Sequence, residues 1–160
     1  MSDQVLAVLK PFFASHGFTQ KKNGWYIVDH SGIRGVHFEK DRWREKSEQR
    51  YDPIICCFPI EFMEDDRIPP YFKFPIREYA SEISSINWDA VKVNFDLSSI
   101  EENRKLNIEE FLSQDILPFL SQIETTEDAF ALYDAGIIGN RAFLRPVRPK
   151  LIERLGKPLK

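Results

Sequence analysis

After an opening helical stretch, apolar residues alternate with polar ones through much of the first two thirds of the chain. In the last third they recur every third or fourth position. This change of period constrains the fold more than any other feature. Period two lines one face of a strand, and period 3.6 lines one face of a helix. Val91, Val93, Phe95 and Leu97 alternate with Lys92, Asn94 and Asp96, the pattern of a half-buried antiparallel strand over Trp88 to Ser98. Ile108, Phe111, Leu112, Ile116, Phe119, Leu120 and Ile123 keep helical spacing. Strands grouped before helices predict an α+β fold: an antiparallel sheet of about four to six strands, with an N-terminal helix and C-terminal helices on one face.

Local signals fill in the order of elements. Asp3 can cap a first helix carrying Val5, Leu6, Leu9, Phe12 and Phe13, which Pro11 should kink or end. Gly17 suits the residue after that helix, with Phe18 supplying the accompanying contact. Asn23-Gly24 is a strong hairpin signal between Phe18–Lys22 and Trp25–Asp29. A third strand is expected over Ile33–Lys40, with Val36 and Phe38 on one face and His37 on the other. Asp41 to Asp52 reads as a charged loop or ragged strand extension. The most apolar stretch, Pro53–Met63, reads as a central strand in which Pro59 marks a bulge or an edge. Glu64 to Pro70 reads as an acidic turn, and a short helix is expected within Pro75–Asn87. Asn107 with Glu110 suggests a capping box, Thr125 or Thr126 opens a further helix that Gly136 stops, and Pro149–Leu155 suggests a last one.

A chain of 160 residues can bury one substantial core without staples. The expected organisation is a single α+β domain over residues 1–140 and a basic C-terminal extension over 141–160. Cys56 and Cys57 are adjacent, point to opposite faces of a strand, and read as small buried hydrophobes. Without a disulfide framework or a secretory signal, a cytoplasmic protein is expected. No apolar run is long enough for a spanning helix, so no membrane contact is expected. No nucleotide-binding, hydrolase or metalloprotease motif is present. His16, His30 and His37 lie in different elements, so neither a metal nor another cofactor is expected.

Charge is distributed unevenly. The net is +2 over residues 1–60, -11 over 61–140 and +6 over 141–160. Glu61, Glu64, Asp65 and Asp66 form the densest acidic patch; Asp89, Asp96, Glu101, Glu102, Glu109 and Glu110 can extend it. Such a surface is either an ordinary solvated face or a landing site for a basic partner. The basic residues Arg141, Arg145, Arg148, Lys150, Arg154, Lys157 and Lys160 either fold back on the acidic middle or reach outward. With a net charge of -3 and only Phe143 for stacking in that tail, nucleic acid is not the expected partner.

The run Leu9-Lys10-Pro11-Phe12-Phe13, then His16-Gly17-Phe18, Lys21-Lys22 and Trp25-Tyr26, resembles a bacterial family catalogued as domain of unknown function 4304. Phe111-Leu112 and Ile116-Leu117-Pro118-Phe119-Leu120 resemble the helix that closes such domains. The resemblance spans residues 5 to about 125 and rests on short, mostly structural motifs. It implies a small α+β domain of the kind encoded beside polymorphic toxins, where many such proteins act as cytoplasmic immunity proteins. It assigns no catalytic residue.

Three functions follow as expectations. The first is a non-catalytic immunity-type module that occludes a toxin domain. It would use Glu61, Glu64, Asp65 and Asp66 against a basic cleft, with Tyr71, Phe72 or Trp43 as aromatic anchors. The second is a regulatory domain that pairs with itself or another chain. The third is an enzyme using His37 beside Glu39 or Asp41, or Cys56 or Cys57 as nucleophile. The sequence leaves the oligomeric state open.

Overall fold

The structure is a computed structural model and describes residues 3–40, 51–87 and 104–156. Helix α1 spans Asp3–Ser15 and retains Pro11 inside it, so the helix runs on past the proline that was expected to kink or end it. It stops at Ser15, four residues later. Gly17 takes a φ of +80°, Phe18 N–H reaches Phe13 O at 3.0 Å and Gly17 N–H reaches Ala14 O at 3.2 Å. The Phe13 and Phe18 rings meet at 5.2 Å, completing a Schellman stop with its hydrophobic contact.

Among the described residues five strands follow: β1 (Thr19–Lys21), β2 (Gly24–Asp29), β3 (Gly32–Lys40), β4 (Tyr51–Pro59) and β5 (Ile76–Tyr79). They form one antiparallel sheet in sequential order. The first hairpin differs from expectation by one residue. Lys21 pairs with Gly24, so Lys22 and Asn23 make the turn, with Lys22 at φ 53°. Gly24 is held inside β2 by a different need. A Cβ there would lie 2.3 Å from Tyr26 Oη, and one on Gly35 would lie 2.7 Å from Tyr26 Cδ1. The Tyr26 ring thus covers two glycines on adjacent strands.

The apolar run does form an inner strand, β4, paired with β3 on one side and β5 on the other. Further expectations shift. Pro59 is the last residue of β4 and leads into a 3₁₀ turn at Ile60–Phe62, so it ends the strand instead of bulging it. Pro53 lies in β4 beyond the residues that pair with β5, where its missing N–H costs nothing. Residues 75–87 contain β5 and a 3₁₀ turn at Ala80–Glu82 in place of the expected helix. The strand expected over Trp88–Ser98 lies outside the described residues.

Asn107 falls inside helix α2 (Arg104–Phe111) and is therefore not its cap. A π turn at Leu112–Ile116 joins α2 to α3 (Leu117–Gln122). Pro118 has no N–H to give a carbonyl one turn back, and the helix widens just ahead of it. Helix α4 spans Thr126–Asp134 and starts on a full capping box between Thr125 and Asp128. Helix α5 spans Arg148–Leu155 and ends on Gly156 at φ 67°.

The sheet has two differently covered faces. Trp25, Val36, Phe38, Ile55, Cys57 and Ile76 face the helices, whose buried residues include Leu9, Phe13, Phe111, Leu112, Ile116 and Phe130. Ala142, Phe143, Val147 and Leu151 belong to this same core, and Phe143 forms a β-bridge with Ile76. Tyr26, Ile33, Ile54, Cys56 and Phe74 form a smaller cluster on the other face.

Candidate functional site

Among the described residues, the second face of the sheet is covered by residues 60–74, whose only helical pieces are short 3₁₀ turns. This segment leaves β4, crosses this face and returns toward β5. Met63, Ile68 and Tyr71 pack onto the smaller cluster, and polar ties hold the segment. Lys21 Nζ donates to Ile68 O, and Arg77 donates to Phe72 O. Tyr71 stacks on His37 with ring centroids 4.0 Å apart and donates to Glu39 at 3.3 Å. Pro69-Pro70 further limits the backbone before the 3₁₀ turn Tyr71–Lys73. The result is an ordered strap whose middle carries the acidic residues.

The sequence-selected residues are not equivalent on this strap. Glu64, Asp65 and Asp66 are exposed at its tip. Asp65 accepts from Arg67 N–H at 2.9 Å and pairs with the Arg67 guanidinium at 3.1 Å. The Arg67 hydrogen bonds hold the Asp65 carboxyl below its usual range. Glu61 is exposed but internally engaged. Thr126 Oγ1 donates to it and Lys150 Nζ lies 2.5 Å away. Lys150, followed by Thr126, lowers the Glu61 pKa. Tyr71 is half-buried under the strap, whereas Phe72 is 57% exposed. Trp43, Asp41, Asp89, Asp96, Glu101 and Glu102 lie outside the described residues.

The residues considered for chemistry have different surroundings. Burial lowers the His37 pKa, and nearby Glu39 raises it less. Glu39 also accepts from Tyr79 Oη at 2.7 Å. That hydrogen bond, with burial, pushes the Tyr79 phenol up to about 12. His37, Glu39, Tyr71 and Tyr79 therefore form a mutually satisfied cluster under one end of the strap. Cys56 and Cys57 are buried free thiols. Burial pushes Cys56 far up and Cys57 up to about 12, far from the thiolate a nucleophile requires. Among the described residues, no group of three or more His, Cys, Asp and Glu is placed to hold a metal ion. Among them also, no helix is long and apolar enough to cross a membrane.

Sequence reasoning missed two groupings. Arg34 is buried on the helical face, where it donates to Leu120 O at 3.1 Å and pairs with Asp29 at 2.8 Å and Glu124 at 3.2 Å. Burial raises the Asp29 pKa, but the hydrogen bonds from Ser31 and Arg34 outweigh it and bring it down to about 2. The odd position of Arg34 beside Val36 and Phe38 was the available signal, because period two puts all three on one face. The second grouping joins Phe72 and Lys73 to Arg145 and Arg148 around one cleft. No local pattern connects residues so far apart in sequence. Two other cations of that tail do fold back: Arg154 pairs with Asp134 at 3.1 Å and Glu127 at 3.5 Å, and Lys150 with Glu61. The chain matches no family model, no curated protein and no solved structure.

Proposed function

We propose that this chain is an immunity-type binding protein that occludes a basic cleft of a bacterial toxin domain. The observation that carries this reading is the ordered strap with an acidic tip. Glu64, Asp65 and Asp66 project from a segment fixed at both ends by packing and hydrogen bonds. A preordered loop loses little conformational entropy on docking, and clustered carboxylates speed encounter with a basic surface. Ile60 is 55% exposed and Phe72 is 57% exposed, so each end of the strap offers an apolar anchor beside the charge. The resemblance to the family neighbouring polymorphic toxins supplies the partner class, and a cytoplasmic site of action follows from it.

The test is capture by the tagged full chain from its native cell, followed by reconstitution with the captured protein. The expected result is a one-to-one complex with a basic toxin domain whose activity is blocked. Asp65→Lys with Asp66→Lys should slow its association by roughly tenfold at low salt. A toxin complex that ignores this charge reversal removes the strap as the interface. A clean, folded chain that captures no toxin overturns the immunity reading itself.

A further inference from the structure

A cleft of about 470 Å³ opens between the Tyr71–Lys73 turn and the segment that leads into α5. Phe72 forms one side; Leu144 and Pro146 contribute apolar surface; Lys73, Arg145 and Arg148 bring positive charge. All three cations are exposed, and among the described residues no carboxylate lines the cleft. Among the described residues none of the three is in an ion pair, although Lys150 and Arg154 of the same tail are both paired. Arg148 is positioned by its Nε, which donates to Phe143 O at 2.7 Å. The fold therefore neutralises Lys150 and Arg154 and leaves Arg145 and Arg148 facing an exposed aromatic ring.

We infer that this cleft binds a nucleotide, free or within a single strand, by stacking its base on Phe72 and holding its phosphate with Lys73, Arg145 and Arg148. An exposed ring flanked by unpaired cations is the minimal platform for a base and its phosphate. Guanidinium groups match phosphate in shape as well as charge. The volume suits a single small ligand. An extended acidic peptide fits less well, because the strand edge beside the cleft is already taken. Phe143 bridges Ile76, and Leu144 N–H donates to Pro75 O at 2.9 Å. No backbone ladder is left there for an added strand. With no base-edge donor in the arrangement, the site takes any base.

The test uses the full chain with ATP and with a short labelled oligouridylate, by calorimetry and anisotropy, at low and at physiological salt. Both should bind and compete for one site. Phe72→Ala should weaken binding by roughly tenfold. Lys73→Glu with Arg145→Glu should weaken it at least as much and flatten its salt dependence. These three side chains are exposed and Arg148 is left intact, so thermal unfolding should confirm a native fold in each variant. Binding of ATP alone, or of the oligonucleotide alone, supports the site and identifies its source. No binding of either, or binding unchanged in the variants, overturns it. So does a polyglutamate peptide or inorganic phosphate that binds as tightly as ATP, because the ring would then be idle. Asp65→Lys with Asp66→Lys should leave nucleotide binding intact, which separates this inference from the partner surface.

Discussion

Arg34 ties three parts of the chain through one guanidinium: the β2–β3 turn, the end of α3 and the residue before α4's cap. Replacing it with Met keeps the stem's packing but strands Asp29, Glu124 and the Leu120 carbonyl. Both carboxylates are partly in water, so the expected loss is about 2 kcal/mol, below that for a fully enclosed pair. Urea unfolding of Arg34→Met measures it. Asp29 has a folded-state pKa of about 2, below the 3.8 of a free carboxyl. Its contribution is therefore full above the higher value and lost as pH falls through the lower one. Thermal scans between pH 5 and 2 should show wild type converging on Asp29→Asn as acid is added. Gly35 offers a sharper contrast. A Cβ there would sit 2.1 Å from Trp25 O, whereas one on Gly139 meets nothing within 4 Å. Gly35→Ala should cost about 3 kcal/mol and Gly139→Ala almost nothing, both read from the denaturation midpoint. Sequence shows that a glycine is present. It does not show which atom lies opposite, and for Gly24 that hid the reason for its place: the ring of Tyr26, not the turn.

At the scale of elements, the best-written instructions are those that close within a few residues. The stop at Gly17, the Thr125 cap and the stop at Gly136 were legible because their donors and acceptors are neighbours in sequence. Gly136 takes φ +74°, and Ile137 N–H reaches Leu132 O at 2.9 Å. Thr125→Ala removes the cap accepting from Asp128 N–H and should cost about 1 kcal/mol, seen as a lower melting temperature. Elements decided by distant contacts were misread. Ile76–Tyr79 became a strand because β4 offered an open edge, and tertiary pairing outweighs a weak helical pattern. Asn107 looked like a cap, yet α2 already includes Arg104. The strap was legible only as an acidic, proline-bearing turn. Its fastening to His37 and Glu39 depends on side chains more than thirty residues away. Tyr71→Ala should loosen the strap without unfolding the sheet. Hydrogen exchange should rise across residues 62–73 and stay slow in β3.

Over the whole molecule, the uneven charge read from sequence becomes two surfaces. The strap's tip presents carboxylates, and the cleft beside Phe72 presents cations. Net charge per segment predicted the first surface but not the second, since only folding determines which tail cations remain unpaired. The α+β architecture was legible because binary patterning sets layers before it sets neighbours. The final segment is structural: Phe143, Val147 and Leu151 are each fully buried in the main core. A chain ending at residue 140 should therefore fail to give a cooperative unfolding transition, and Phe143→Ala should cost about 4 kcal/mol. The sheet's sequential order has a consequence during synthesis. Each strand pairs with the one before it, so the meander can assemble as the chain leaves the ribosome. Helix α1 is made first and covers part of the apolar face, but the other pieces that seal it are made last. A nascent chain thus carries a half-covered greasy sheet until residue 151 emerges, and slow translation of those closing codons would lengthen the interval in which a chaperone must shield it.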